Sequence, residues 1–168
     1  SIRSWLDNYA ATHPRDDPAV YGPLHGDVIV GNFNRAPGGG LDVFDWDQLQ
    51  LGWYLLDVAV PLWSAFYLSS ALGAVTGVDY EVFRELFLAG YQAVRPLSAE
   101  DRAAVDQFVE LRKLFYVAFC RKAHRDLILY PGEQRAFPTF KAMAESVLGF
   151  YLKLEAQQQE ATAAAEQA

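Results

Sequence analysis

The chain of 168 residues contains a single cysteine, Cys120. One thiol excludes an internal disulfide framework and fits a reducing cytosol. Basic residues are scarce too: 14 Lys and Arg stand against 21 Asp and Glu, a net charge of −7. That balance argues against nucleic acid as the main partner. It mildly favours a cationic substrate or a bound metal, although such a charge also serves solubility. The three histidines, His13, His25 and His124, lack zinc-ligand spacing. No long apolar run is present either. The longest, near Val58–Ala74, is interrupted by Pro61 and three serines and is short for a bilayer span. The opening Ser1-Ile2-Arg3-Ser4-Trp5 lacks the apolar region of a signal peptide. No internal repeat is visible. A cytoplasmic protein with no membrane segment is the expectation.

What is there is the material of a core. Hydrophobic residues make up 52% and charged residues 21%, a balance that excludes disorder, collagen and coiled coil. A chain of this size buries roughly 70% of its unfolded surface on folding. The spacing of Ile2, Trp5, Leu6 and Tyr9 predicts a short amphipathic helix over 2–12. The proline-rich stretch His13–Pro23 reads as a connector. Two short apolar runs, Val28–Phe33 and Leu41–Trp46, flank Asn34-Arg35-Ala36-Pro37-Gly38-Gly39-Gly40 and predict a β-hairpin.

After Gly52 every segment reads as helix. Pro61 is expected to kink or divide the apolar stretch Trp53–Ala71. Asp79 is a candidate cap for a helix carrying Phe83, Leu86, Phe87, Gly90, Tyr91 and Val94. Ser98-Ala99-Glu100-Asp101 resembles a capping box, with Asp in place of Glu. It opens a helix with Val105, Phe108, Leu111, Phe115 and Phe119 on one face, closed by Pro131-Gly132. A last helix starts near Pro138, with Phe140, Met143, Val147, Tyr151 and Leu154 on its apolar face. The tail Gln157–Ala168 extends that helix or frays.

Chemistry concentrates in a short segment. Asp27, Asn32, Asp42, Asp45 and Asp47 fall within 21 residues, with Arg35 the one cation between them. An antiparallel hairpin returns the chain to its starting edge. The start of the first strand, with Asp27 and Asn32, therefore meets the end of the second, with Asp45 and Asp47. Converging carboxylate and amide oxygens suit a hard divalent cation such as Mg²⁺. Asp42 reads as a turn residue.

The motif His25-Gly26-Asp27-Val28-Ile29-Val30-Gly31-Asn32 is followed thirteen residues after Asn32 by Asp45 in Phe44-Asp45-Trp46-Asp47, then by Leu51-Gly52 and Leu56-Asp57-Val58-Ala59. Four fixed positions at about one in twenty each recur by chance in ~0.1% of chains this long. Together with Phe87-Leu88-Ala89-Gly90-Tyr91 and Val94-Arg95-Pro96-Leu97, the set resembles the C-terminal half of the aminoglycoside phosphotransferase / choline kinase family, which is protein-kinase-like. The resemblance spans about residues 20–125.

It implies a mainly α (α+β) fold: a kinase-like C-terminal lobe, with one small hairpin carrying the catalytic and metal residues. It implies that Asp27 is the catalytic aspartate acting on the acceptor hydroxyl, and that Asn32 and Asp45 hold Mg²⁺ against the triphosphate of ATP. His25 resembles the histidine that braces the catalytic loop. Phe44 matches an apolar residue beneath the adenine; Asn34, at a second such position, departs from the pattern. Asp57 resembles the helix-start aspartate that accepts backbone amides of the catalytic loop; a plain first-turn acid is its alternative. Asp47 matches a second acid, structural or facing the acceptor.

The family's nucleotide lobe is not expected in the roughly 20 residues before the catalytic loop. Residues 1–156 are expected to form the catalytic and acceptor lobe and 157–168 a polar tail. The missing N-terminal lobe becomes the expected partner, from the same or a separate chain. The implied function is transfer of the γ-phosphate of ATP to the hydroxyl of a small molecule resembling an aminoglycoside, choline or homoserine. The rivals are a Ser/Thr protein kinase of the same superfamily and a non-catalytic binding module. An apolar patch around Phe33 and Phe44 is expected to favour self-association.

Other candidates have plainer readings. Gly38-Gly39-Gly40 lacks the Lys-Ser/Thr of a P-loop and reads as a turn. Cys120 reads as a buried, inert thiol. Trp46, Trp53, Tyr54, Trp63 and Tyr116 read mostly as core, with a minority open to an acceptor pocket. Arg121, Lys122, His124 and Arg125 read as a solvated helix face.

Overall fold

The computed structural model describes residues 1–77, 79–129 and 138–166. The chain divides into two compact units, Ser1–Arg112 and Lys113–Ala168. The first unit opens with helix α1 (Ile2–Thr12), capped by the Ser1 side chain. Strand β1 (Tyr21–Leu24) follows, then a 3-10 turn over Val30–Asn32, β2 (Phe33–Arg35), β3 (Leu41–Val43) and β4 (Gln50–Trp53). Helices α2 (Leu55–Thr76), α3 (Tyr80–Val94) and α4 (Ala99–Leu129) complete the series. The unit boundary falls within α4.

The strands form two nested antiparallel ladders. The inner one pairs β2 with β3, Phe33 opposite Val43 and Arg35 opposite Leu41. The outer one pairs β1 with β4, Tyr21 opposite Trp53 and Leu24 opposite Gln50. The expected hairpin is therefore shorter than the apolar runs suggest. Residues 28–32 form a loop and a 3-10 turn, because Asn32 turns its side chain back onto Asp27. Asp42 sits in β3 opposite Asn34 rather than in a turn. The outer ladder corrects the reading of residues 21–23 as connector.

Helix α2 runs unbroken through Pro61, so the expected division into two helices does not occur. Leu55, Val58, Ala59, Val60, Leu62, Trp63 and Ala65 are all buried. Each such apolar side chain larger than alanine contributes roughly 1.5–3 kcal/mol on burial, which together exceeds the ~3 kcal/mol cost of an interior proline. Asp79 caps α3 by accepting the Val82 N–H. The box ahead of α4 forms as well: the Ser98 hydroxyl accepts the Asp101 N–H at 2.9 Å, and Asp101 accepts from the Ser98 hydroxyl at 2.8 Å.

The core of this unit gathers Tyr9, Trp53, Leu55, Val58, Leu62, Leu88, Val105 and Phe108. The Tyr9 ring meets Trp53 and Phe108 edge-on, a favoured aromatic geometry. Trp53 thus packs into this core from β4.

The second unit comprises the remainder of α4 and helix α5 (Pro138–Glu166), which continues through residues 157–166. Lys113 lies over the Tyr151 ring at 5.6 Å, and Cys120 and Tyr151 are buried. Burial pushes the Cys120 thiol up. The expected stop at Pro131-Gly132 and the side chains of His124, Arg125, Phe140, Met143 and Val147 lie outside the described residues. Among the described residues no helix is long and apolar enough to cross a membrane.

Candidate active site

The nested ladders leave two connecting segments facing each other, residues 25–32 on the outward path and 44–49 on the return. Their approach is close. Gly26 has φ +81°, and a Cβ there would stand 2.5 Å from the Gln48 carbonyl oxygen. Only glycine meets both demands without strain.

His25 ties the two segments together. Its Nδ1 accepts the Asp27 N–H at 3.2 Å, and its Nε2 lies 3.0 Å from the Phe44 carbonyl oxygen. A backbone N–H only donates and a carbonyl only accepts, so the ring carries its proton on Nε2 and donates it to Phe44. Both nitrogens are thus engaged within the site's backbone. The Trp46 ring lies 4.4 Å from the imidazole, while Trp46 itself is largely exposed.

Asp57, in the first turn of α2, reaches back to the same turn. Its Oδ2 accepts the His25 N–H at 2.7 Å and its Oδ1 accepts the Gly26 N–H at 2.8 Å. That is more than a first-turn acid facing a helix dipole. A carboxylate accepting two amides is a charge-assisted clamp, and it fixes the loop to the rigid start of α2.

Asp27 follows directly. Its Oδ1 accepts from Arg112 Nη2 at 2.6 Å, and its Oδ2 accepts from Asn32 Nδ2 at 3.1 Å. Asn32 Nδ2 also donates to the Asp27 carbonyl at 2.9 Å. The Asn32 amide nitrogen is thereby committed to Asp27, which leaves the side-chain oxygen as its remaining polar group. The Asn32 carbonyl accepts the Phe44 N–H at 3.0 Å, so the backbone brings Asn32 next to the residue preceding Asp45.

Asp45 is exposed and has φ +67°. It is the one non-glycine residue with positive φ among those described. Asp tolerates this conformation better than most residues, and such backbones cluster at functional sites. Phe44 contributes through its main chain to both His25 and Asn32, and the residue is 40% exposed. Asp47 is exposed on the same return segment. Among the described residues no three His, Cys, Asp or Glu side chains gather as a metal cluster. The oxygen donors that Asn32 and Asp45 offer are one amide and one exposed carboxylate.

Arg112 is the member of the site that the sequence reading passes over. It is buried in α4, pairs with Asp27 and donates from Nη1 to the Gly26 carbonyl at 3.2 Å. One signal was available: position 112 lies four residues after Phe108 and seven after Val105, on the apolar face of the helix. A cation on such a face calls for a buried partner.

No protein-family model matches the chain. An uncharacterized protein of Deinococcus radiodurans is 31% identical over 97 residues, which make up 58% of this chain and 27% of that protein. Among solved structures, amicoumacin kinase hAmiN, in complex with AMP-PNP, Ca²⁺ and Ami, is similar with a TM-score of 0.55 and 23% identity. The similarity covers 73% of this chain and 37% of that kinase. The chain thus spans well under half the length of either protein. The likeness to amicoumacin kinase, over most of the chain, gives it a kinase-like fold.

Proposed function

We propose that the chain is the catalytic, acceptor-side lobe of a phosphotransferase that moves the γ-phosphate of ATP to the hydroxyl of a small molecule. The observation that carries this reading is the Asp27 carboxylate. It is held on both oxygens, in a turn anchored by Asp57 and braced by His25. Phosphoryl transfer asks a protein mainly for positioning and charge stabilisation, and a fixed carboxylate beside an open segment supplies the first.

In the proposed step the acceptor O–H bond breaks and its proton passes to an Asp27 oxygen. The acceptor oxygen bonds to the γ-phosphorus as the bond to the bridging oxygen breaks, leaving ADP. Each Asp27 oxygen retains a lone pair for that proton beyond the bond it already accepts. Asn32 and Asp45 fit a hard divalent cation such as Mg²⁺: one offers the amide oxygen left over by its bonds to Asp27, the other an exposed carboxylate. Bound there, the ion would supply charge neutralisation for the phosphates. His25 and Asp57 act as support, and Asp47 is a second acid on the acceptor or structural side. A nucleotide-holding lobe, from the same or a separate chain, would cover the exposed Val43, Phe44 and Trp46. Left uncovered, those residues favour self-association. A cytoplasmic setting suits the one buried thiol.

The test is transfer from radiolabelled ATP, with Mg²⁺, to a panel of aminoglycosides, choline, homoserine and casein, with Asp27→Asn as control. Label on a small hydroxyl compound that disappears in the variant is the expected result. Label on casein alone would make the acceptor a protein, and no transfer by the two-lobed protein would overturn the reading.

A further inference from the structure

The Arg112 side chain uses its planar fork on one tight turn. Nη2 holds the Asp27 side chain, Nη1 holds the carbonyl of the preceding residue, Gly26, and the guanidinium lies over the Trp63 ring at 5.3 Å. The pair is well shielded, with 6% of the Arg112 side chain and 14% of the Asp27 side chain exposed. We propose that Arg112 is the positioning residue for Asp27, setting the carboxylate relative to its own backbone from a helix 85 residues away in sequence. This rests on the reading of Asp27 as the base.

The geometry explains why an arginine is needed. Asn32 alone bonds one carboxylate oxygen and the Asp27 carbonyl, which leaves the carboxylate free to swing about that contact. A second donor on the other oxygen removes the swing. A guanidinium presents two parallel donors in fixed relation, whereas a lysine ammonium is a point charge that cannot match both acceptors in one geometry. Trp63, itself buried in α2, packs against the fork.

The test compares Arg112→Met, Arg112→Lys and Asp27→Asn with the wild type in steady-state transfer, and by nitrogen-edited NMR with hydrogen exchange. A misplaced base costs about a hundredfold, so Arg112→Met should lower kcat about that much while KM for acceptor and ATP moves less than about threefold. Arg112→Lys should recover part of the loss, to about a tenfold deficit. The Asn32 side-chain amide should exchange at least about tenfold faster in Arg112→Met, with α1 and α3 amides as protected as in wild type. A role in folding alone would lower protection everywhere and leave kcat per folded molecule unchanged. If Arg112→Met does not fold, Arg112→Lys decides: full kcat there overturns the proposal. An unaltered Asn32 side-chain amide in Arg112→Met also overturns it. Full turnover of Asp27→Asn would sink the reading of Asp27 as base instead, and the NMR comparison would still decide whether Arg112 holds it.

Discussion

Asp57 holds the backbone amides of His25 and Gly26 with its two carboxylate oxygens, at 2.7 and 2.8 Å. The clamp joins a helix start to a loop more than thirty residues earlier, so the loop takes its position from α2. Bonds to a charged acceptor contribute about 1.5–3 kcal/mol each. Asp57→Ala should therefore lower unfolding free energy by roughly 3–6 kcal/mol in urea denaturation, and Asp57→Asn by less. A change under about 0.5 kcal/mol in Asp57→Ala would show that the loop is held from elsewhere.

Gly26 gives a sharper local test. An alanine there would adopt φ +81° and press a methyl against the Gln48 carbonyl. The conformation alone costs about 1–2 kcal/mol, and displacement of the return segment adds to it. Gly26→Ala should lower Tm clearly. At Gly38 an added Cβ meets nothing within 4 Å, so Gly38→Ala should stay within about 0.5 kcal/mol of wild type. Equal effects at the two sites would contradict the close packing of the two segments.

The proposed roles of Asp27 and Asp45 separate in kinetics. In the two-lobed protein, Asp27→Asn should reduce kcat by about 10²–10⁴-fold, the range for a general base, with ATP affinity kept. Asp45→Asn preserves the backbone preference and removes the charge, so its expected effect is weaker Mg²⁺-dependent nucleotide binding. Isothermal titration with Mg-ATP beside steady-state rates distinguishes the two. Identical losses of ATP affinity would merge the roles.

Alkaline pH tests the Tyr9 anchor. Burial raises the Tyr9 pKa well above its ordinary value, and the nearby Asp101 carboxylate raises it further. The phenol donates to that carboxylate at 3.2 Å. A raised folded-state pKa means that stability is fully present below the unfolded value of about 10 and falls as pH rises toward the folded one. Urea midpoints should hold up to about pH 9 and drop above it. Tyr9→Phe should be less stable at neutral pH and show a shallower alkaline drop; an unchanged slope would remove Tyr9 from the account.

Signals that act over a few residues were legible from the sequence. Asp79 and the Ser98/Asp101 box cap their helices as their local chemistry dictates. Asp27 and Asn32 stand five residues apart in sequence, and that spacing survives as contact; His25 and Asp57 are singled out only through the family resemblance. What escaped was non-local. Tyr21-Gly22-Pro23-Leu24 contains two strand-breaking residues, yet pairs with β4; Pro23 is tolerable in a two-stranded ladder, where one side needs no donor. Arg112 escaped because its place on an apolar helix face signals a buried partner without saying which, and that partner lies 85 residues away. Pro61 misled because propensity is local, whereas the burial that overrides it is tertiary.

The nesting of the ladders also implies an order of events during folding. Pairing Leu24 with Gln50 in an open chain closes a loop over residues 25–49. If the Phe33–Val43 ladder has already zipped, only the segments 25–32 and 44–49 remain to be closed, which lowers the entropic cost by about 0.5 kcal/mol. A hairpin zipped first would thus ease the outer pairing, and closing the outer strands would then bring together the two segments carrying Asp27, Asn32 and Asp45. Slowing the outer pairing would delay the appearance of the site without delaying the hairpin.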